Sequence, residues 1–200
     1  DTAERGFSIR FDGPLDMRFS PMTKITAADV VNNFSEEELE CIFRDFGDVK
    51  EARRIAREII RVRESGEIKG TLQLAKLVQR ASGRIKESPV PQVFMSLRIY
   101  VNDEFGVIER GLDAAFELLK PGGRLAVITF HSGEDRIVKN FGRIRARDYE
   151  VIGEVDLPEF RKFRKPILKI ISKKPICPSE DEVRNNPRAR SAKLRVFERI

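Results

Sequence analysis

The sequence predicts an α/β protein that carries a separate all-helical unit. Three observations lead there. From Leu112 to Asn140 a helical pattern, a Lys120-Pro121-Gly122-Gly123 turn, an apolar run from Arg124 to Phe130 and a second helical pattern follow one another. That is the order of a sheet strand flanked by helices. Residues 26–82 repeat apolar side chains at helical spacing behind N-cap signals. Residues 193–200 alternate apolar and polar side chains as a strand does.

Taken in order, residues 1–25 are expected to form a packed loop. Gly6, Gly13 and Pro14 argue for turns, while Phe7, Ile9, Phe11, Leu15 and Met17 are too apolar for a free linker. Arg5, Arg10 and Arg18 interleave with Phe7 and Phe11. Such a mixture suits RNA, whose bases stack on aromatic rings while arginines hold phosphates; it equally suits a well-packed loop.

Residues 26–88 read as the helical unit. Thr26 with Asp29 and Ser35 with Glu38 fit capping boxes. Leu39, Ile42, Phe43 and Phe46 form an apolar stripe that Gly47 ends. A helix over 49–65 buries Ala52, Ile55, Ala56, Ile59 and Ile60 and turns Arg53, Arg54, Arg57, Arg61 and Arg63 outward, relieved by Glu51 and Glu58. That face is either a phosphate contact or an ordinary solvated face. Thr71 is expected to cap the next helix. The polar, proline-containing stretch 83–91 reads as a boundary, after which residues 89–200 return to the α/β part.

Residues 92–119 have helical periodicity with a bend or break expected at Gly106 or Gly111. Arg124–Phe130 does not alternate, as suits a strand covered on both faces. Ser132 is expected to cap the following helix, with Asp135 as its partner. His131 and Ser132 stand at the carboxyl end of that strand, where α/β sheets place their chemistry. Residues 146–165 read as irregular, with Arg161, Lys162, Arg164 and Lys165 clustered around Phe160 and Phe163. Ile167–Ile171 and Lys193–Ile200 read as an antiparallel pair, separated by a short helix after Ser179 and a basic loop holding Arg188 and Arg190.

Composition narrows the classes. No run of 18 apolar residues suggests a membrane span, and no signal peptide is visible. Cys41 and Cys177 are far apart and read as free thiols of a reducing, cytoplasmic compartment. With one histidine in the chain, a metal site is not expected. The formal charge of +6 raises the odds of a polyanionic partner.

Four blocks then add up: Arg5-Gly-Phe-Ser-Ile-Arg with Asp12-Gly-Pro-Leu-Asp-Met-Arg18; Leu97-Arg-Ile with Val101-Asn-Asp-Glu104; Leu119-Lys-Pro-Gly-Gly-Arg-Leu-Ala-Val-Ile-Thr-Phe-His-Ser132 with Glu134-Asp-Arg-Ile-Val-Lys139; and Lys174-Pro-Ile-Cys-Pro-Ser with Asn186-Pro-Arg-Ala-Arg-Ser-Ala-Lys-Leu-Arg195. In this order, and over essentially the whole chain, they closely resemble the bacterial small-subunit ribosomal RNA cytosine-N4 methyltransferases, the MraW family. Local departures stand at Phe94-Met95-Ser96, where the family usually has Phe-Gln-Ala, at Gly133, where it has Leu, and at Ser88–Gln92, which lacks the usual basic and histidine pattern.

The resemblance implies the later half of a class I, Rossmann-like sheet with an inserted helical domain. It implies S-adenosylmethionine as cofactor and small-subunit (16S) ribosomal RNA, or the assembling subunit, as partner; a homodimer is left open. The family's glycine-rich cofactor loop and first strands precede the Arg-Gly-Phe block, so no cofactor-binding residue is assigned here and those contacts are expected upstream of Asp1. In the implied reaction the amine of an extruded cytosine attacks a sulfonium methyl, and most of the rate comes from alignment in a polar pocket. His131, as proton acceptor or base-orienting group, Asp16 and Arg98 are the expected pocket residues; each also has a plain structural role open to it. Arg5, Arg18, Arg54, Arg57, Arg61, Arg188, Arg190 and Arg195 are the expected RNA contacts. A catalytically silent RNA- or protein-binding fragment is the alternative. A DNA-binding domain is weaker still, for want of a helix-turn-helix signature.

Overall fold

Capping boxes start the first two helices where the sequence places them. In α1 (Ala27–Asn33) the Thr26 hydroxyl accepts from the Asp29 backbone while the Asp29 carboxylate accepts from Thr26. In α2 (Glu36–Gly47) Ser35 and Glu38 do the same. The structure, a computed structural model, describes residues 3–83 and 87–200. Asp1 and Thr2 of the opening loop, and Arg84, Ile85 and Lys86 of the expected boundary, lie outside the described residues. The chain divides into two units, Asp1–Glu104 and Phe105–Ile200. The first therefore runs on past the proline-containing stretch at 83–91.

In the first unit α3 (Ala52–Arg63), α4 (Thr71–Ser82) and α5 (Val90–Val101) complete the helices. α5 packs on α2, α2 on α3 and α3 on α4. The buried stripe of each feeds one core, with Phe43, Ile55, Ile59, Leu74 and Leu97 almost wholly enclosed. The opening loop belongs to this core, since Leu15 and Met17 are buried in it and the carbonyls of Asp16 and Leu15 accept from Ala27 and Ala28 at the start of α1.

The start of α4 differs from expectation. Gly70 is its N-cap and Thr71 is its buried first residue. The capping acceptor comes from the loop: Oδ1 of Asp12 takes the Leu72 backbone N–H at 3.1 Å, and the Thr71 hydroxyl donates to the Phe11 carbonyl and accepts from Gly13 N. A loop carboxylate thus does what an N-cap side chain does. Asp12→Ala is expected to lower stability by about 1 kcal/mol, read as a shift of the urea midpoint at constant slope.

The break in 92–119 falls at Asn102-Asp103, not at Gly106 or Gly111. Asp103 is left-handed at φ 48°, and the Asn102 side chain donates back to the Arg98 carbonyl at 2.8 Å.

The second unit begins with α6 (Glu104–Leu118), which leads through the Pro121-Gly122 turn into β1 (Arg124–Thr129) and α7 (Ser132–Arg145). β2 (Tyr149–Val151) and β3 (Arg161–Phe163) pair as an antiparallel hairpin inside the stretch expected to be irregular. β4 (Leu168–Ile170), α8 (Glu180–Asn185, capped by Ser179) and β5 (Lys193–Arg199) end the chain. The three-stranded sheet has the order β1-β5-β4, and β5 is antiparallel to both neighbours.

One face of this sheet is packed. Leu112, Phe116, Val138, Phe141, Leu168 and Phe197 form its core. The other face is not, so β1 departs from the strand covered on both sides that its run of apolar residues suggests. Its exposure alternates, with Ile128 at 59% and Phe130, just beyond it, at 54%. Cys41 and Cys177 are free and exposed. No helix among the described residues is long and apolar enough to cross a membrane.

Candidate functional site

Sequence reasoning singles out two regions, one on each unit. On the first, the opening loop is shaped by Gly6 and Met17. Gly6 has φ +73°, and a Cβ there would meet the Pro14 carbonyl oxygen at 2.1 Å. Met17 is left-handed at φ 60° although it is neither glycine nor asparagine, a conformation that persists only when its surroundings hold it. They do. Met17 N donates to the Arg5 carbonyl at 3.0 Å, and Asn102 Nδ2 donates to the Met17 carbonyl at 2.8 Å. Oδ1 of Asn102 takes the Phe19 N–H at 2.6 Å. The loop is therefore clasped to the end of α5 by one asparagine.

This clasp sets two clefts with Phe19 as a common wall. The larger, of about 520 Å³, is lined by Phe7, Met17, Phe19, Phe94, Met95 and Arg98 among others. Phe7 and Phe19 stack at 5.6 Å between centroids. Arg98 stands at this cleft with its guanidinium held by Glu104 at 2.7 and 3.1 Å. The smaller cleft, about 390 Å³, has Asp16, Arg18, Arg5 and Glu4 in its wall. Asp16 accepts both Nε and Nη2 of Arg18 at 2.8 and 2.7 Å. That hydrogen bonding outweighs the opposing effect of burial and holds the Asp16 carboxyl below the usual carboxylate range. An aromatic cleft beside fixed opposite charges is suited to a flat heterocycle with polar edges.

On the second unit His131, not Ser132, is the N-cap of α7. Its Nδ1 accepts the Glu134 N–H at 3.4 Å, and the Glu134 carboxylate accepts the backbone N–H groups of Phe130 and His131. With Nδ1 accepting, the neutral ring carries its proton on Nε2. Nε2 lies 3.2 Å from Oε1 of Glu134 but out of line for a hydrogen bond, so it is a buried ring nitrogen with no aligned partner among the described residues. Phe105 lies across the ring at 5.8 Å. Burial works against the Glu134 charge most strongly, yet the His131 side chain and the two backbone donors outweigh it and hold this carboxyl low.

The expected RNA contacts fall into different situations. Arg5 holds the loop, donating to the Arg18 and Phe19 carbonyls at 2.8 and 3.0 Å. Arg18 is tied to Asp16 and to the Thr23 carbonyl. Arg57 lies 3.4 Å from Glu36 and Arg61 is paired with Glu58 at 2.6 Å. Arg54 is exposed, with its guanidinium against Gly83. Arg188 and Arg190 are exposed on a 3-10 turn, Pro187–Ser191. Arg195 is 7% exposed and bound to both oxygens of Asp135 at 2.7 and 3.0 Å, so its charge is spent joining β5 to α7 rather than offered to a phosphate.

The structure pairs Asp16 with Arg18 in one cleft and puts Arg98 in the adjoining one, while His131 belongs to the other unit. The i, i+4 spacing of Arg98 and Asn102 on one helix side marks the asparagine as a pocket residue in the sequence, and Phe7 stands there among the interleaved arginines; Phe19 was not selected from the sequence.

The whole chain, residues 1–200, matches the MraW methylase family. Among curated proteins it is 48% identical over 203 residues to a "Ribosomal RNA small subunit methyltransferase H" from Carboxydothermus hydrogenoformans, covering 100% of this chain and 65% of that protein. Proteins of the same name from Protochlamydia amoebophila and Halothermothrix orenii are each 48% identical, with 64% and 65% of their lengths covered. The chain thus spans a little under two thirds of the relatives it matches.

Proposed function

Because this chain belongs to the MraW methylase family, we propose that it forms the base-positioning and later-sheet portion of an S-adenosylmethionine-dependent enzyme. That enzyme methylates the exocyclic N4 of a cytosine in small-subunit (16S) ribosomal RNA, near the decoding centre, in the cytoplasm. The observation that carries the reading is the aromatic cleft of the opening loop, clasped by Asn102, with Arg98 in its wall and Asp16 in the cleft beside it, in a chain whose relatives are named small-subunit ribosomal RNA methyltransferases. In this reading residues 26–88 are a helical insertion that touches RNA, and residues 89–200 are the later part of a class I methyltransferase domain. The exposed apolar face of β1 supports a larger sheet with a second covering layer, as strands of that class have.

In this reading the principal contacts to the cofactor come from outside residues 1–200. What this chain contributes is alignment. The Phe7–Phe19 stack holds the unstacked base, and Asp16 and Arg98 fix its polar edge. These are effects of proximity and preorganised charge.

The test uses the full-length protein with unmodified small-subunit RNA and methyl-labelled cofactor. Label on the N4 of a single cytosine is expected, and residues 1–200 alone are expected to take up none. Labelling by residues 1–200 alone overturns the placement of the cofactor contacts. No labelling by the full-length protein, with RNA still bound, turns the reading to a silent RNA-binding homologue.

A further inference from the structure

The arginine face of α3 is split by its neighbours. Arg53 and Arg57, four residues apart on one edge, lie 3.9 Å from Glu40 and 3.4 Å from Glu36 on α2. Arg54, Glu58 and Arg61 follow the other edge, toward α4. There Arg61 holds Glu58 with two hydrogen bonds, at 2.6 and 2.9 Å. Glu58 is also the carboxylate that feels the charge of Arg80 on α4. Arg54 reaches the C-terminal end of α4, at Gly83.

α4 turns Gln73, Lys76, Gln79 and Arg80 outward, and these side chains wall a depression of about 440 Å³. Along the seam and the outer face of α4, Arg61 is ion-paired with Glu58, whereas Arg54, Lys76 and Arg80 make no ion pair among the described residues. Two amide side chains stand between the cations and offer donors and acceptors of either sense. No large apolar side chain is exposed among the described residues between Met22 and Val107. A protein partner would therefore find no apolar anchor here, whereas a sugar-phosphate chain needs none.

We propose that this α4 edge, Arg54, Lys76 and Arg80 with Gln73 and Gln79, tracks the backbone of the RNA substrate, while the α2-facing arginines Arg53 and Arg57 do not touch it. The inference rests on the proposed function for the identity of the polyanion. It assigns the contact to a helix that carries fewer cations than α3 but whose cations are less fully neutralised.

The test measures binding of small-subunit RNA to the full-length protein as a function of KCl. Each lost phosphate contact reduces the slope of log K against log salt by about 0.7–0.9. Lys76→Ala/Arg80→Ala is expected to flatten the slope by roughly 1.5 and weaken binding about tenfold at low salt; Arg53→Ala/Arg57→Ala is expected to leave the slope as it is. A wild-type slope in Lys76→Ala/Arg80→Ala, or equal flattening in both variants, overturns the proposal. Thermal melting of each variant separates loss of fold from loss of contact. If the wild-type protein methylates RNA while Lys76→Ala/Arg80→Ala keeps the wild-type slope, this inference alone fails. If the wild-type protein neither binds nor methylates the RNA, the functional reading fails with it.

Discussion

Arg195→Ala is expected to cost the second unit about 3 kcal/mol of stability, and to lower its melting temperature by on the order of 10 °C. The guanidinium is 8% exposed and the Asp135 carboxylate 13% exposed, and the two meet at 2.7 Å. Removing the cation leaves a mostly buried carboxylate with Lys193, 3.7 Å away, and the more distant charge of Lys139. The pair also bridges the central strand of the sheet to α7, so its loss loosens the one packed face that the sheet has.

The same pair makes stability depend on pH in a defined direction. The Arg195 hydrogen bonds, against some opposing burial, hold the Asp135 carboxyl below its ordinary value. The native state thus binds fewer protons than the unfolded chain in the acid range. Its contribution is fully present above the unfolded carboxylate value, near 4, and is lost as pH falls through the lowered native one. Melts of wild type and Asp135→Asn should differ most at neutral pH and converge in acid; a constant gap from pH 7 to pH 2 would refute this.

On the proposed function, Gly6→Ala is expected to reduce kcat/KM for methyl transfer on the order of 100-fold, with a much smaller effect on the melting temperature. The added Cβ would sit 2.1 Å from a backbone oxygen and 2.9 Å from the Asp16 N–H, so no side-chain rotation relieves it. The positive φ adds its own cost of about 1–2 kcal/mol. The loop must shift, and with it Asp16, Arg18 and Phe19. Steady-state kinetics on unmodified small-subunit RNA measure the effect; an unchanged kcat/KM would show that the loop does not position the base.

Local chemistry was legible in the sequence and distant chemistry was not. The Thr26–Asp29 and Ser35–Glu38 boxes are complete within four residues, so they could be read directly. The cap of α4 comes from Asp12, sixty residues before the N–H it accepts, and no local pattern carries it. His131 escaped as a cap because imidazole is outside the usual set of short oxygen side chains. The break at Asn102 is made by bonds to a loop 83 and 85 residues away, which outbid the nearby glycines. Arg195 is expected from the sequence to meet RNA, yet it shares strand parity with Phe197 and so points to the packed face. That parity was readable. The hairpin of β2 and β3 was hidden because strands of three residues, one of them Arg-Lys-Phe, show no usable alternation.

The Asn102 clasp also has a bearing on the order in which the first unit assembles. Its two bonds to the loop close separations of 83 and 85 residues, and closure of so long a segment becomes favourable only after the intervening helices have shortened the span. The clasp is then a late event, and Asn102→Ala should speed unfolding more than it slows refolding. The cleft at the loop would be the last part of this unit to form, and the first whose loss reports a destabilised core elsewhere in it.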